Sequence, residues 1–228
     1  MSGGPPPLPP IPYPAWLSGG GGTPPSPAPA PAAGGGAPAP ATFTLPPELK
    51  TGMKAAWDAS FPGGKSQEQG GILVRKADGT MEWRPGPAGN SGSFSVNYGD
   101  LKAGETLVAS AHTHPYDASE GGHTDVTFSG ADIGNMALGS RPEDMKFVRS
   151  GDGIFMVQET QAFKDFVAAK GDAAARAEVV KTWNDSFAAA TGTIQERAEA
   201  AVKATCQAHH LDYFKGTGDT LTKVDVTK

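Results

Sequence analysis

The chain has 228 residues, with 19 Lys and Arg against 24 Asp and Glu, and a formal net charge of −5 at pH 7. This acidic balance argues against a nucleic-acid interface, which normally needs a basic face. The single cysteine, Cys206, excludes an internal disulfide framework. No stretch reaches the roughly 18 apolar residues of a membrane span, and the first residues lack the basic and apolar regions of a signal peptide. We therefore expect a protein that is made in the cytoplasm.

The first 47 residues form a Pro/Gly-rich arm. They carry 16 of the 21 prolines, and no charged side chain precedes Glu48. Such a segment buries too little apolar surface to offset the entropy cost of ordering it. We predict a disordered arm at 1–47 with local polyproline II character.

Residues 48–158 alternate between helix and strand patterns. A short helix is predicted in "LPPELKTGMKAAWDASF" from its helical spacing of apolar residues. Two short runs joined by Asp78-Gly79 in "ILVRKADGTMEWR" predict a hairpin, because that pair tolerates the positive φ of a tight turn. Further strands are predicted in "SFSVNYGDL" and "ETLVASAHTHP", a helix start in "SGADIGNMAL", and a second hairpin in "MKFVRSGDGIFMVQE".

After Thr160 the chain becomes Ala-rich, with apolar residues three and four positions apart. This pattern predicts two or three packing helices. The order of elements indicates an α+β (α/β-like) fold, with a mixed sheet flanked by helices. We divide the chain into the arm at 1–47, a core domain at 48–158, and a C-terminal helical extension at 159–228 that packs on the core.

A candidate metal site begins at His112-Thr113-His114-Pro115, where a predicted strand ends. Side chains at i and i+2 of a strand point to the same side, so the two imidazoles can converge on one cation. Catalytic zinc needs a third protein ligand and an open position for water. His123, Asp125 and Asp132 are the nearby candidates.

Asp132 also has a structural interpretation. Ser129-x-x-Asp132 before an apolar helical run is typical of a capping box, in which the two side chains bond each other's backbone N–H. Taken alone, this is the more frequent use of such residues. Both roles are compatible, because a helix N-terminus can present the aspartate to a strand end.

Glu68 completes an ordered set. It lies just before Gly70-Gly71 and an apolar strand, and His112-x-His114-Pro115 and Ser129-x-x-Asp132 follow it along the chain. Over residues 50–158 this set resembles the signature of the JAMM (JAB/MPN) zinc metallopeptidase family. The resemblance implies a cytidine-deaminase-like core and Zn²⁺ held by His112, His114 and Asp132. It also implies that Glu68 is the general base and that Ser129 is an oxyanion donor.

The sequence departs from this family between the histidine pair and the serine. Fourteen residues, "PYDASEGGHTDVTF", separate them, which is longer than the family usual. We interpret 115–128 as an inserted loop over the site that acts as a lid or a specificity element. This leaves open whether His123 replaces or supplements Asp132 as a ligand.

The expected function is zinc-dependent hydrolysis of an amide or isopeptide bond in a protein or peptide substrate. The arm stretch "PPIPYPAWLSGG" resembles a Pro-rich segment of PAAR-like spike proteins of type VI secretion systems. That resemblance implies a bacterial secreted effector or toxin, with a secretion spike or tube, or a cognate immunity protein, as partner. The alternatives are a non-catalytic adaptor that keeps the fold, and a cytoplasmic RadC-like accessory protein, which the uncharged arm and acidic charge disfavour.

Overall fold

The computed structural model describes residues 40–96, 98, 101–139 and 143–227. Most of the predicted arm, including "PPIPYPAWLSGG", lies outside these residues.

One mixed sheet runs through the whole described part of the chain. Its strand order is β1-β8-β7-β6-β5-β4-β2-β3. Neighbouring strands are antiparallel except β4 and β5, which are parallel. The strands are β1 (Thr42–Thr44), β2 (Gly70–Arg75), β3 (Met81–Pro85), β4 (Thr106–Thr113), β5 (Met145–Ser150), β6 (Gly153–Gln158), β7 (Asp212–Gly216) and β8 (Thr220–Lys223).

Helices cover the two faces of this sheet. They are α1 (Pro47–Asp58), α2 (Gly130–Gly134), α3 (Gln161–Lys170), α4 (Asp172–Ala189) and α5 (Ile194–His209). Short 3₁₀ turns lie at Pro62–Gly64, Ala118–Glu120 and Asn135–Ala137. No helix in the described ranges combines the length and apolar character needed to cross a membrane.

Alternation along the strands separates the two faces. Ala109 and Ala111 of β4 join the core under α1, together with Phe147 and Phe214. Side chains of a strand alternate between faces, so Ser110 and His112 point to the opposite side. Tyr213, next to Phe214, bonds Glu199 of α5 there at 2.8 Å. The histidines therefore lie on the face that α5 covers.

The predicted α+β class is confirmed, with a mixed sheet flanked by helices. Both predicted hairpins form, β2 with β3 and β5 with β6. The described residues of "SFSVNYGDL" lie outside strands, whereas strands β1, β7 and β8 form in segments that the sequence assigned to the arm and to the helical extension. The sequence did not predict β7 because no glycine marks the end of α5. His210, at φ 58°, ends the helix in a left-handed conformation instead.

Candidate metal centre

The histidine pair is fixed by the end of β4. His112 is paired on one side with Gly70 of β2 and on the other with Val148 of β5. The backbone N–H of His114 then donates to the carbonyl of Arg149 at 2.9 Å. The chain is thus held from both sides where the two imidazoles leave it.

The two imidazoles converge with one carboxylate. The Nε2 atoms of His112 and His114 are 3.0 Å apart. Asp132 places Oδ1 at 3.2 Å from Nε2 of His112 and Oδ2 at 3.3 Å from Nε2 of His114. One ligand atom from each residue lies within 4.8 Å of the others, so the group could bind a metal ion.

The tautomer of His114 is set by a backbone contact. Its Nδ1–H donates to the carbonyl of Thr127 at 3.0 Å. A backbone acceptor on one ring nitrogen leaves the other nitrogen for a ligand. Nε2 of His114 is therefore the atom that faces His112 and Asp132.

Asp132 caps a helix and also faces the histidine pair. It lies at the third position of α2, where Oδ2 accepts from the Ser129 N–H at 2.8 Å and the Asp132 N–H donates to Oγ of Ser129 at 3.2 Å. The Ser129 hydroxyl also donates to Oδ2 at 2.6 Å. The predicted capping box is confirmed, and it aims the carboxylate at the histidines.

Burial and mutual contacts shift the pKa values of all three side chains in this group. Burial lowers the pKa of His112. Burial also opposes protonation of His114, but the hydrogen bond and charge of Asp132 outweigh it and raise the pKa of His114 to about 9. Burial opposes ionisation of Asp132, yet both imidazoles hold the pKa of Asp132 well below its usual range. In the metal-free group, Asp132 thus favours the protonated form of His114.

The three side chains form a donor set that suits a cation. The two Nε2 atoms are 3.0 Å apart, and each has a lone pair for a cation when it carries no proton. Two imidazoles and one carboxylate are also ligand types that bind first-row divalent metals. The donor set of His112, His114 and Asp132 therefore fits a metal ion.

Glu68 lies beside the group, held by its backbone. Its N–H donates to the carbonyl of Asn90 at 2.8 Å, and its carbonyl accepts from Gly89 at 2.9 Å. The neighbouring residue Gln69 forms three hydrogen bonds with Thr113, which lies between the histidines in sequence. These contacts fix Glu68 next to the end of β4.

The Glu68 carboxyl is buried and uncommitted. The residue is only 7 % exposed, and its carboxyl makes no hydrogen bond to any described residue. Burial raises the pKa of Glu68 to about 8, opposed by the charge of His114 and assisted by those of Asp132 and Glu120. A buried carboxyl with a raised pKa and free oxygens is suited to accept and release a proton.

The loop at 115–128 is held by hydrogen bonds at several points. Asp117 caps the 3₁₀ turn at Ala118–Glu120 and accepts from the Ser66 N–H at 3.2 Å. The Ser66 hydroxyl donates to Glu120. Asp125, at φ 59°, accepts from the Gly153 N–H at 2.9 Å. The three acidic side chains of this loop therefore hold its fold.

The other candidate ligands lie apart from the group. Asp125 is engaged by Gly153 in the turn between β5 and β6. His123 lies outside the three-residue group, and its ring lies edge-on to Tyr116 with centroids 6.3 Å apart. Within the described residues, Asp132 is thus the carboxylate that meets the histidine pair.

Two aromatic residues near the group had no sequence signal of their own. The ring of Phe94 lies parallel to that of His112, with centroids 6.3 Å apart. A Cβ at Gly70 or at Gly86 would lie 2.8 Å from an atom of the Phe94 ring, so both positions require glycine. Tyr116 lies edge-on to His114 at 6.5 Å. Its position two residues after His114 is the one cue that the sequence offers.

Comparisons with known proteins do not extend this description: no family model, curated protein or solved structure matches the chain.

Proposed function

We propose that the chain is a zinc-dependent hydrolase of amide or isopeptide bonds, of the kind that the JAMM-like order of its residues suggests. The observation that carries the proposal is the convergence of His112, His114 and Asp132 beside the uncommitted carboxyl of Glu68. A structural ion pair would not require a second buried carboxyl with free oxygens at the same place.

The donor set favours zinc among divalent metals. Two imidazoles and one carboxylate, with a position left for water, are the protein ligands of many catalytic zinc sites. Bound zinc would polarise a carbonyl group and lower the pKa of water towards neutrality. Calcium and magnesium prefer oxygen ligands and are disfavoured by the histidine pair.

Glu68 would carry the proton transfers. The positive charge of a bound zinc would lower the pKa of Glu68 from its metal-free value of about 8. An oxygen of Glu68 then accepts a proton from the attacking water and returns it to the nitrogen of the leaving amine. Ser129 would help to stabilise the oxyanion once its hydroxyl is released from Asp132.

The ligand set can be tested without knowing the substrate. Wild-type protein should purify with zinc, or bind it tightly after chelation and reloading. The His112→Ala/His114→Ala double variant and Asp132→Ala should lose it. His123→Ala is the matched control and should keep it. Zinc retained in Asp132→Ala but lost in His123→Ala would overturn the assignment of the third ligand.

Catalysis needs a second experiment. Zinc-loaded wild type and Glu68→Gln are incubated with peptide libraries and isopeptide-linked protein conjugates, and the products are read by mass spectrometry. We expect cleavage by wild type and none by Glu68→Gln, with equal zinc content in both. Equal cleavage by both proteins would refute the role of Glu68. Zinc binding without cleavage by wild type would favour the non-catalytic adaptor.

A further inference from the structure

Tyr116 is placed against the candidate metal centre by both of its neighbours in the chain. His114, two residues before it, is bonded to Arg149 of β5. Asp117, directly after it, is held in the cap of the following 3₁₀ turn. The backbone of Tyr116 is therefore fixed without any contribution from its own hydroxyl.

The ring of Tyr116 is wedged between two imidazoles. It lies edge-on to His114 at 6.5 Å and to His123 at 6.3 Å. His123 in turn lies over Gly121, where an added Cβ would come within 2.6 Å of its Nε2. The His123 ring thus packs against one side of the Tyr116 ring.

The hydroxyl of Tyr116 differs from those of the other two described tyrosines. Tyr213 donates to Glu199 and shares a second hydrogen bond with the Thr127 hydroxyl, and Tyr98 donates to Glu143 at 2.6 Å. The Tyr116 hydroxyl has no hydrogen-bond partner among the described residues. The half-buried Tyr116 side chain lies edge-on to His114, which belongs to the candidate metal centre.

The site has use for a free hydroxyl donor. Hydrolysis of an amide develops negative charge on the carbonyl oxygen, and donors aimed at that oxygen stabilise it. The Ser129 hydroxyl is engaged by Asp132 at 2.6 Å. A phenol O–H is a hydrogen-bond donor, so Tyr116 is able to supply this contact.

We infer that Tyr116 is a substrate-contacting residue of this site, whose hydroxyl donates a hydrogen bond to the carbonyl oxygen of the bound amide. The inference rests on the proposed hydrolase function and adds a residue to it. Tyr116 transfers no proton in this role. It holds the phenolic O–H in place while charge grows on the oxygen.

The test uses two metal-binding probes in place of the substrate. The full chain is loaded with Co²⁺, whose visible spectrum reports changes in its ligands, and titrated with acetohydroxamate or with imidazole. Acetohydroxamate offers oxygens that can accept a hydrogen bond, whereas imidazole binds the metal through nitrogen alone. Wild type and Tyr116→Phe are compared, because the substitution removes only the hydroxyl.

We expect Tyr116→Phe to bind acetohydroxamate about five- to tenfold more weakly, the usual effect of one lost hydrogen bond. Its affinities for Co²⁺ and imidazole should stay within twofold of wild type. Unchanged acetohydroxamate affinity would overturn the inference. An equal loss with both probes would also overturn it, since Tyr116 would then shape the site without donating.

This design separates failure of the inference from failure of the proposed function. Wild-type protein that binds no Co²⁺ would contradict the metal site itself, before Tyr116 is tested. Wild-type protein that binds Co²⁺ and both probes, with no selective loss in Tyr116→Phe, would contradict the role of Tyr116 alone.

Discussion

Replacing Glu68 with glutamine should stabilise the metal-free protein at neutral pH. Burial raises the pKa of Glu68 from 4.5 to about 8. A raised folded-state pKa means that the folded protein favours the protonated carboxyl. Its stabilising contribution is complete below pH 4.5 and is lost as the pH rises towards 8.

The size of the effect follows from the same values. At pH 7 the unfolded chain ionises Glu68, while the folded chain keeps the proton. One pKa unit corresponds to about 1.4 kcal/mol. Ionisation of Glu68 in the unfolded chain therefore lowers the free energy of unfolding by on the order of 3 kcal/mol at this pH. Glutamine has a similar shape and ionises in neither the folded nor the unfolded state, so the variant avoids this cost.

Urea unfolding of wild type and Glu68→Gln, in the presence of a chelator, measures the difference. The glutamine variant should be more stable by about 3 kcal/mol at pH 7 and nearly equal to wild type at about pH 4. Asp165→Asn, at an exposed position on α3, is the control and should change little at either pH. If Glu68→Gln were less stable than wild type at pH 7, or equally shifted at both pH values, the argument from burial would be wrong.

Three further predictions concern the metal, the loop and the core. Zinc binding at pH 7 should release at least one proton, because zinc binds the neutral imidazole and the pKa of His114 is about 9; calorimetry in two buffers of different ionisation enthalpy would reveal its absence. Asp125→Ala should cost about 1–3 kcal/mol in urea unfolding, since it strains φ 59° and frees the Gly153 N–H, whereas Asp125→Asn should cost less. Gly52→Ala should lower Tm, with a cost of about 2 kcal/mol or more, because its Cβ would lie 2.2 Å from Cδ2 of Trp83; an unchanged Tm would refute this packing.

Much of the fold could be predicted because its signals are local. The hairpin turn at Asp78-Gly79 and the strand that ends at Thr113 both follow from alternation and turn chemistry. β1 has only three residues, too few for any period to emerge. β7 follows α5 directly, and the left-handed His210 gives no glycine signal at the junction.

The candidate site was predictable to a different degree at each residue. His112 and His114 share a strand face by spacing alone, and the capping motif locates Asp132 at a helix start. Glu68 comes close to them only because Gly70 pairs with His112, a long-range contact that no local pattern encodes. Its proposed role as general base comes from the family resemblance and stays a prediction. Tyr116 reaches the site through the fold of the loop at 115–128, so its contacts could not be predicted from the sequence.

The pairing of β1 with β8 has a practical consequence for shortening the chain. Thr42–Thr44 adds the outermost strand beside Thr220–Lys223, and the N–H of Leu45 donates to the carbonyl of Asp219 at 2.8 Å. A deletion that ends at residue 39 spares all of these bonds. One that ends at residue 47, where the proline-rich composition stops, would strip the outer edge from the sheet and leave β8 with unpaired backbone groups. Two truncations that differ by eight residues should thus differ in solubility, although the residues between them resemble a linker.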